Sequence, residues 1–423
     1  MSDNTPRGVR DFSPAEAISL KRISGIAEEV FKRFGFYPLE TPALENMSVL
    51  NSKAYGDEPS KEIFVMKDEE TGLRYDFTVP LARYVAANKD LVLPFKRYQI
   101  GSAWRKDEPQ KMRYREFAQA DVDIVGSAET GSDAEVIAAA ALVLEELGMR
   151  NYVILVNSRS LLKQVILGLG VPADKEVQAI RILDKLQKLK REESLAQLSA
   201  LVPEGQVAEK LLGFVEQEGS NEEKLQRVSA NVAESKDEVA RMQELLKLLS
   251  AYKLNGKIVF DMALARGFDY YTGFVWEFAI EEEGKRLPSV GGGGRYDSLI
   301  GMYSKRNTPA TGSSLGISRI FDVMGSSSAS KTYAKVFVAV IGQQNSEYAL
   351  NAATALRGNG IYLDMNPLGR NLSKQMEYAS SLGIPWVIIV GDKEREANKL
   401  KLRNMGSGDE ELITLQEAIE KLR

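Results

Sequence analysis

The sequence predicts an α+β fold followed by a separate α/β domain, and three observations carry that expectation. Strand-like runs and helices share residues 1–170 and 251–323. Between them, residues 171–250 are rich in Lys, Glu, Leu and Gln at helical spacing, with 12 basic against 15 acidic side chains, and read as a small helical insertion. After a Ser-rich stretch, "MGSSSASKTY", which marks a linker over 324–332, strand and helix alternate through residues 333–423.

In chain order, the apolar residues Ile18, Ile23, Ile26, Val30 and Phe31 recur at helical spacing, and Gly35 ends that helix as a C-cap. "YPLETPALE" is a short extended element broken by Pro42. "EIFVMKD" and "GLRYDFTVPLARYVA" form an alternating hairpin running into a helix. "FKRYQIGSAWRKDEPQKMRYREFAQADVDIVG" reads as two strands joined by a long polar loop around Asp107 to Arg113. A helix starting near Asp133 and the strand "NYVILVNS" close the first part. After the insertion, strands and glycine-rich turns return from "KIVFDMALARGFDYYTGFVWEF" through "SVGGGGRYD". The last domain reads strand, helix, strand, helix, strand, strand, helix, from "KVFVAVIG" to "TLQEAIEKLR".

At 423 residues the chain exceeds one ordinary core and needs two or three domains. Its 44% hydrophobic and 27% charged residues suit a soluble globular protein. The start "MSDNTPRGVRDF" has no apolar core of a signal peptide, and no apolar run approaches the roughly 18 residues of a membrane span, so a cytoplasmic protein is expected. With no cysteine and no histidine, disulfides, thiolate or imidazole metal sites, cysteine nucleophiles and Ser-His triads are excluded. The chemistry left belongs to carboxylates, Arg, Lys, Tyr and bound Mg²⁺. The net charge of −4 points to no polyanion, yet Lys96, Arg97, Arg105, Lys106, Lys111, Arg113 and Arg115 form a basic island against only Asp107 and Glu108. Taken alone, that island reads first as a solvated charged hairpin.

Alternation sharpens the middle segment. In "FAQADVDIVG", Gln119, Asp121 and Asp123 share one strand face, and Ala118, Ala120, Val122 and Ile124 the other. An amide and two carboxylates in a row suit an amine or cationic ligand, or else an edge facing solvent. "RGFDYYTG" contains β-formers and reads as strand, with Asp269, Tyr271 and Gly273 on one face and Phe268, Tyr270, Thr272, Phe274 and Trp276 forming a core stripe. Arg266 stands beside a glycine able to bulge, and its planar guanidinium suits phosphate or carboxylate oxygens. The run Gly291 to Gly294 lets backbone approach a ligand but matches neither the Walker nor the Rossmann glycine spacing.

Together and in this order, "ETPALE", "GSAWRKDEPQKMRYREFAQADVDIVG", "LARGFDYYTG", "GGGGRYD" and "TGSSLGISRI" resemble the class II aminoacyl-tRNA synthetases. "LARGFDYYTG" with "GGGGRYD" is similar, more narrowly, to the histidyl-tRNA synthetases, and the resemblance covers nearly the whole chain. It implies an antiparallel sheet flanked by helices, a helical insertion and a C-terminal α/β anticodon-binding domain, in a homodimer built around Thr41 and Pro42. The implied reaction is ATP-dependent activation of histidine to histidyl-adenylate, followed by transfer to the 3′ end of tRNA.

The resemblance also implies residue roles. Arg105 would hold the ATP α-phosphate, Arg113 the outer phosphates and Arg319 the rest of the phosphate clamp; Phe117 would stack on adenine, and Asp107 or its neighbour Glu108 would reach the base. Asp76, Thr78 and Gln119 would hold the α-amino group of histidine. Asp123 and Tyr271 would engage its two imidazole nitrogens, and Tyr296 would line the same pocket. Arg266 matches the catalytic arginine, and Gln110, Lys111 and Arg115 would meet the tRNA acceptor end. The motif departs from common relatives in having Ser318 in place of an acid, Ser313 in place of an aromatic, and Lys106 and Ala118 where His is frequent. ATP and Mg²⁺ are the implied co-substrate and ion, and no metal site made by protein residues is implied. A non-catalytic relative that binds histidine, like the regulatory subunit of ATP phosphoribosyltransferase, is the rival reading; the Arg105, Arg266 and Arg319 set and the C-terminal domain weigh against it.

Overall fold

A computed structural model describes residues 5–50, 61–184, 191–202, 205–265, 270–283, 285–325, 330–365 and 371–423. The chain separates into two units, Met1–Arg10 with Ile23–Met324, and Asp11–Arg22 with Gly325–Arg423.

The first unit is organised by one sheet. Its strands are β1 (Tyr37–Pro38), β4 (Phe95–Trp104), β5 (Glu116–Val125), β6 (Tyr152–Ser158), β7 (Ile258–Phe260), β8 (Phe274–Glu282), β9 (Lys285–Arg286), β10 (Gly291–Arg295) and β11 (Ala310–Gly316). They run in the order β1-β4-β5-β11-β10-β8-β6-β7, with β9 on the end of β8. All pairs from β4 to β6 are antiparallel; β1 on β4 and β7 on β6 are parallel. A separate small hairpin pairs β2 (Leu44–Asn46) with β3 (Thr71–Leu73). The antiparallel centre agrees with the expected fold, and the segment that reads as a basic loop joins β4 to β5.

The helix Thr130–Glu146 is buried along most of its length, from Ala134 to Leu144, because its alanines and valines leave no polar face to solvent. The segment expected as a helical insertion consists of Glu176–Leu183, Arg191–Leu201, Gly205–Val215, Asn221–Asn231 and Lys236–Ala251. Ser220 and Glu223 close the start of the fourth with a reciprocal capping box.

One expectation is corrected here. The β-formers at 270–273 do not form strand: β8 begins only at Phe274. Tyr270 and Tyr271 are consecutive yet both buried, and Thr272 is exposed, a pattern a two-residue alternation cannot give. The backbone N–H of Thr272 donates to the carbonyl of Arg295 (2.8 Å) and Arg159 N–H to that of Gly273 (2.9 Å), so single hydrogen bonds tie this stretch to the ends of β10 and β6 without continuing the ladder. Thr272 therefore leaves the expected core stripe, whereas Tyr270 stays buried among core residues and also lines the cleft described below.

In the second unit the strands are β12 (Val336–Val340), β13 (Leu363–Met365), β14 (Trp386–Val390), β15 (Leu400–Asn404) and β16 (Glu410–Ile413), ordered β13-β12-β14-β15-β16. Both faces of β12 are covered: Val336 and Val338 pack with Ala352, Ala353 and Leu356, whereas Phe337 and Ala339 pack with Ala379 and Ile384. Two elements escape the sequence reading, β16 and the five-residue helix Asp392–Glu396. Both are short, the helix wholly charged and β16 half so, and neither is long enough to carry an apolar period; β16 is held by pairing with β15.

Candidate active site

The site is a cleft over the middle of the first sheet, and β5 is its ruler. Phe117, Gln119, Asp121 and Asp123 alternate along one face and all line the cleft. Six residues at about 3.3 Å each separate Phe117 from Asp123 by ~20 Å.

At the inner end Asp123 is 2% exposed and Arg97, directly across the β4–β5 ladder, is fully buried; Nη2 of Arg97 lies 2.8 Å from Oδ2 of Asp123. The Tyr296 hydroxyl donates to Oδ1 of the same carboxylate (2.5 Å). Burial pushes the Asp123 carboxyl upward, against the pull of Arg97, and burial with the adjacent carboxylate pushes the Tyr296 phenol well up. Asp121 is pushed up to about 7 by burial, opposed by Arg97 and helped by Asp123 and Asp76. The rings of Tyr270 and Tyr271 meet at 4.7 Å, and Tyr270 and Tyr296 at 6.0 Å.

Two glycines explain why the sheet can carry these groups. A Cβ on Gly312 of β11 would lie 1.9 Å from Oδ1 of Asp123, its cross-strand partner. A Cβ on Gly294 of β10 would meet the Tyr271 ring at 2.5 Å. Gly312 is therefore floor space for the acid and Gly294, the last of the glycine run, for the Tyr271 phenol. Just past it, Arg295 is drawn off the site by Asp133 (2.6 Å) and the carbonyls of Ser127 and Glu129, which ties β10 to the helix Thr130–Glu146.

Asp76 stands before the helix Thr78–Ala87, and its Oδ1 accepts the backbone N–H groups of Thr78 (3.0 Å) and Val79 (3.1 Å). This side-chain cap presents the carboxylate and Thr78 to the cleft together.

The outer end is cationic. Arg105 lies over the rings of Tyr75 (4.3 Å) and Phe117 (5.0 Å). Arg113, about half exposed, pairs with the buried Asp107 (2.6 Å). Arg319, on the helix Ile317–Met324, donates to the carbonyls of Ser289 (2.8 Å) and Met112 (3.2 Å). The Ser318 hydroxyl accepts from the backbone N–H of Ala118 (3.0 Å), joining that helix to β5, and the Ser313 hydroxyl accepts from the Trp276 indole (3.1 Å).

Thus Asp76, Thr78, Arg105, Asp107, Arg113, Phe117, Gln119, Asp123, Tyr271, Tyr296 and Arg319 share one cleft. Gln110, Lys111 and Arg115 do not line it; Gln110 and Lys111 are exposed on the β4–β5 loop, and Arg115 donates to the Asp107 carbonyl (3.0 Å). Arg266 lies outside the described residues. Sequence reading missed Arg97, grouped there with the basic island, gave no role to Ser314 and gave Tyr270 only a place in a core stripe. The signal for Arg97 is its register opposite Asp123, which only strand pairing reveals.

A family model for histidyl-tRNA synthetase matches residues 8–320, and one for an anticodon-binding domain matches residues 335–423. A histidine–tRNA ligase of Aeropyrum pernix is 40% identical, with 98% of this chain and 96% of that protein covered. One from Phocaeicola vulgatus is 35% identical over 98% and 97%. Among solved structures, the histidyl-tRNA synthetase of Nostoc sp. PCC 7120 matches with a TM-score of 0.88 at 28% identity, over 100% of this chain and 99% of that one. A Bacillus halodurans structure titled as an ATP phosphoribosyltransferase regulatory subunit/histidyl-tRNA synthetase shares the fold, with a TM-score of 0.77 at 20% identity over 90% and 97%. The chain belongs to the histidyl-tRNA synthetase family, and its activity is that of an ATP-dependent histidine–tRNA ligase.

Proposed function

We propose that both steps of this ligation take place along β5, with histidine at the inner end of the cleft and ATP at the outer end. The observation that carries the reading is the sharing of one strand face by a buried acid–phenol group, Asp123 with Tyr296 and Tyr271, and by Phe117 beneath Arg105. Asp123 and Tyr271 take the two imidazole nitrogens, and Asp76, Thr78 and Gln119 the α-amino group. Arg105 takes the α-phosphate, Arg113 and Arg319 the remaining phosphate charge, and Phe117 and Asp107 the adenine. Arg266 takes the role of the catalytic arginine between carboxylate and α-phosphate.

Histidine's carboxylate is already ionised at neutral pH. It attacks the α-phosphorus in line and pyrophosphate leaves, so the nucleophile needs no enzyme base. Catalysis is positioning and charge stabilisation by fixed cations, which a protein without histidine can supply. In transfer, a hydroxyl of the terminal ribose attacks the carbonyl and AMP leaves, with the adenylate phosphate accepting the proton.

The donor set does not fit a metal held by protein alone. Among the described residues no three carboxylates converge as ligands. Mg²⁺ belongs with the phosphates of incoming ATP.

Residues 1–170 and 251–323 form the catalytic core, 171–250 the insertion, 324–332 the linker and 333–423 the anticodon-binding domain. Gln110, Lys111 and Arg115 contact the tRNA acceptor end, and two copies pair around Thr41 and Pro42 to act in the cytoplasm. Among the described residues no helix is long and apolar enough to cross a membrane. Pyrophosphate exchange with each amino acid and ATP tests the function. Exchange with histidine alone supports it, and exchange with another amino acid or with none refutes it.

A further inference from the structure

We propose that Asp121 and Ser314 are positioning residues that fix the rotation of the Gln119 amide, so that its carbonyl oxygen faces the α-ammonium of the bound amino acid. The proposal rests on the reading that Gln119 holds that group. Ser314 on β11 is the cross-strand partner of Asp121 on β5, and Gln119 is two residues along the same face. The Ser314 hydroxyl donates to Oδ1 of Asp121 (2.5 Å), and Nε2 of Gln119 donates to the Ser314 oxygen (2.9 Å).

Proton counting makes the chain directional. A serine hydroxyl has one proton, and an ionised carboxylate can only accept. With that proton given to Asp121, Ser314 can only accept, so Gln119 must turn its NH₂ toward it. Among the described residues Oε1 of Gln119 is then left buried without a partner. A buried, unpartnered acceptor is costly, and a substrate ammonium satisfies it.

A neutral Asp121 undoes the arrangement. Its carboxyl proton can serve Ser314, the serine proton becomes free for Gln119, and the amide can rotate to show NH₂ to a cation. Facing Asp121 are Arg97 on β4, Asp123 on β5, Asp76 ahead of the helix Thr78–Ala87, and Arg74, which feels its charge. The balance leaves the carboxyl titrating at about 7. Histidine binding should therefore weaken as pH falls through that region, beyond what the imidazole of the substrate itself accounts for.

The test is pyrophosphate exchange, with KM measured separately for histidine and ATP, and inhibition by the α-hydroxy analogue of histidine. Ser314→Ala should raise the histidine KM about tenfold, one lost hydrogen bond to a charged group, and leave the ATP KM within about twofold. It should also narrow the preference for histidine over the α-hydroxy analogue. Ser314→Thr, which keeps the hydroxyl, should restore both, whereas a merely structural role predicts no selective rescue. Asp121→Asn should flatten the pH dependence of the histidine KM near 7. If Gln119→Ala raises the histidine KM but Ser314→Ala does not, the relay is overturned and the substrate reading stands. If Gln119→Ala has no effect, the placement of the amino group at Gln119 is overturned.

Discussion

At the inner end of the cleft a buried pair on neighbouring strands, Arg97 on β4 and Asp123 on β5, locks the functional groups to one another; at the outer end they are tethered to loops, rings and backbone carbonyls. Asp123 is held by Arg97 and Tyr296 at hydrogen-bond distance in the dry sheet. Arg105 and Arg113 flank a loop, one lying over aromatic rings and the other half exposed and paired to Asp107. The difference fits two tasks. Discriminating an imidazole needs buried polar groups whose partners are lost with the wrong ligand, whereas holding a polyphosphate needs charge that can adjust to it.

Breaking the inner end should cost the most. Asp123→Ala leaves Arg97 buried without its counter-ion, a loss of about 3–5 kcal/mol, to be read from urea unfolding. An unchanged midpoint would show that Arg97 finds another partner. At the outer end, Arg105→Ala should lower kcat for exchange by roughly 10²–10³-fold with a smaller shift of the unfolding midpoint than Asp123→Ala, since its guanidinium lies over the Tyr75 and Phe117 rings and is not locked in a fully buried ion pair as Arg97 is. A comparable loss of stability would erase the contrast between the ends.

A pH scan sharpens the contrast through Asp121, whose folded value of about 7 lies above the roughly 3.9 of an unfolded aspartate. Between those values the folded state binds the extra proton. The contribution of Asp121 to stability is therefore full below about pH 4 and is lost as pH rises through about 7. Asp123, also shifted upward, adds in the same direction. Asp121→Asn should flatten the curve over that window in thermal unfolding at stepped pH; identical curves for both proteins would place the titration elsewhere. The smallest effect belongs to the exposed Lys111. Lys111→Ala should reduce the salt slope of tRNA binding by about one, and an unchanged slope would remove this lysine from the interface.

What the sequence disclosed follows the same division. Period-two alternation exposes Gln119, Asp121 and Asp123 as one face, and period 3.6 finds the buried helices. The motifs bring eleven of the expected site residues into one cleft. Arg97, Ser314 and Gly312 take their meaning from cross-strand neighbours 26 to 193 residues away, as Arg97 with Asp123 and Ser314 with Asp121 show, and no local pattern encodes a register. The late start of β8 and the exposure of Thr272 are not legible in the β-formers, because the hydrogen-bond partners of this stretch, Arg295 and Arg159, lie far along the chain. In the second unit β16 stayed hidden because its charged residues look like loop until β15 pairs with them.

The most direct test of the account compares KM for histidine and for ATP in Tyr271→Phe and Arg113→Ala. Tyr271→Phe should raise the histidine KM about tenfold, one hydrogen bond to a buried polar group, and spare ATP, while Arg113→Ala should raise the ATP KM and spare histidine. Equal shifts of both constants in either variant would contradict the assignment of one end of the cleft to each substrate.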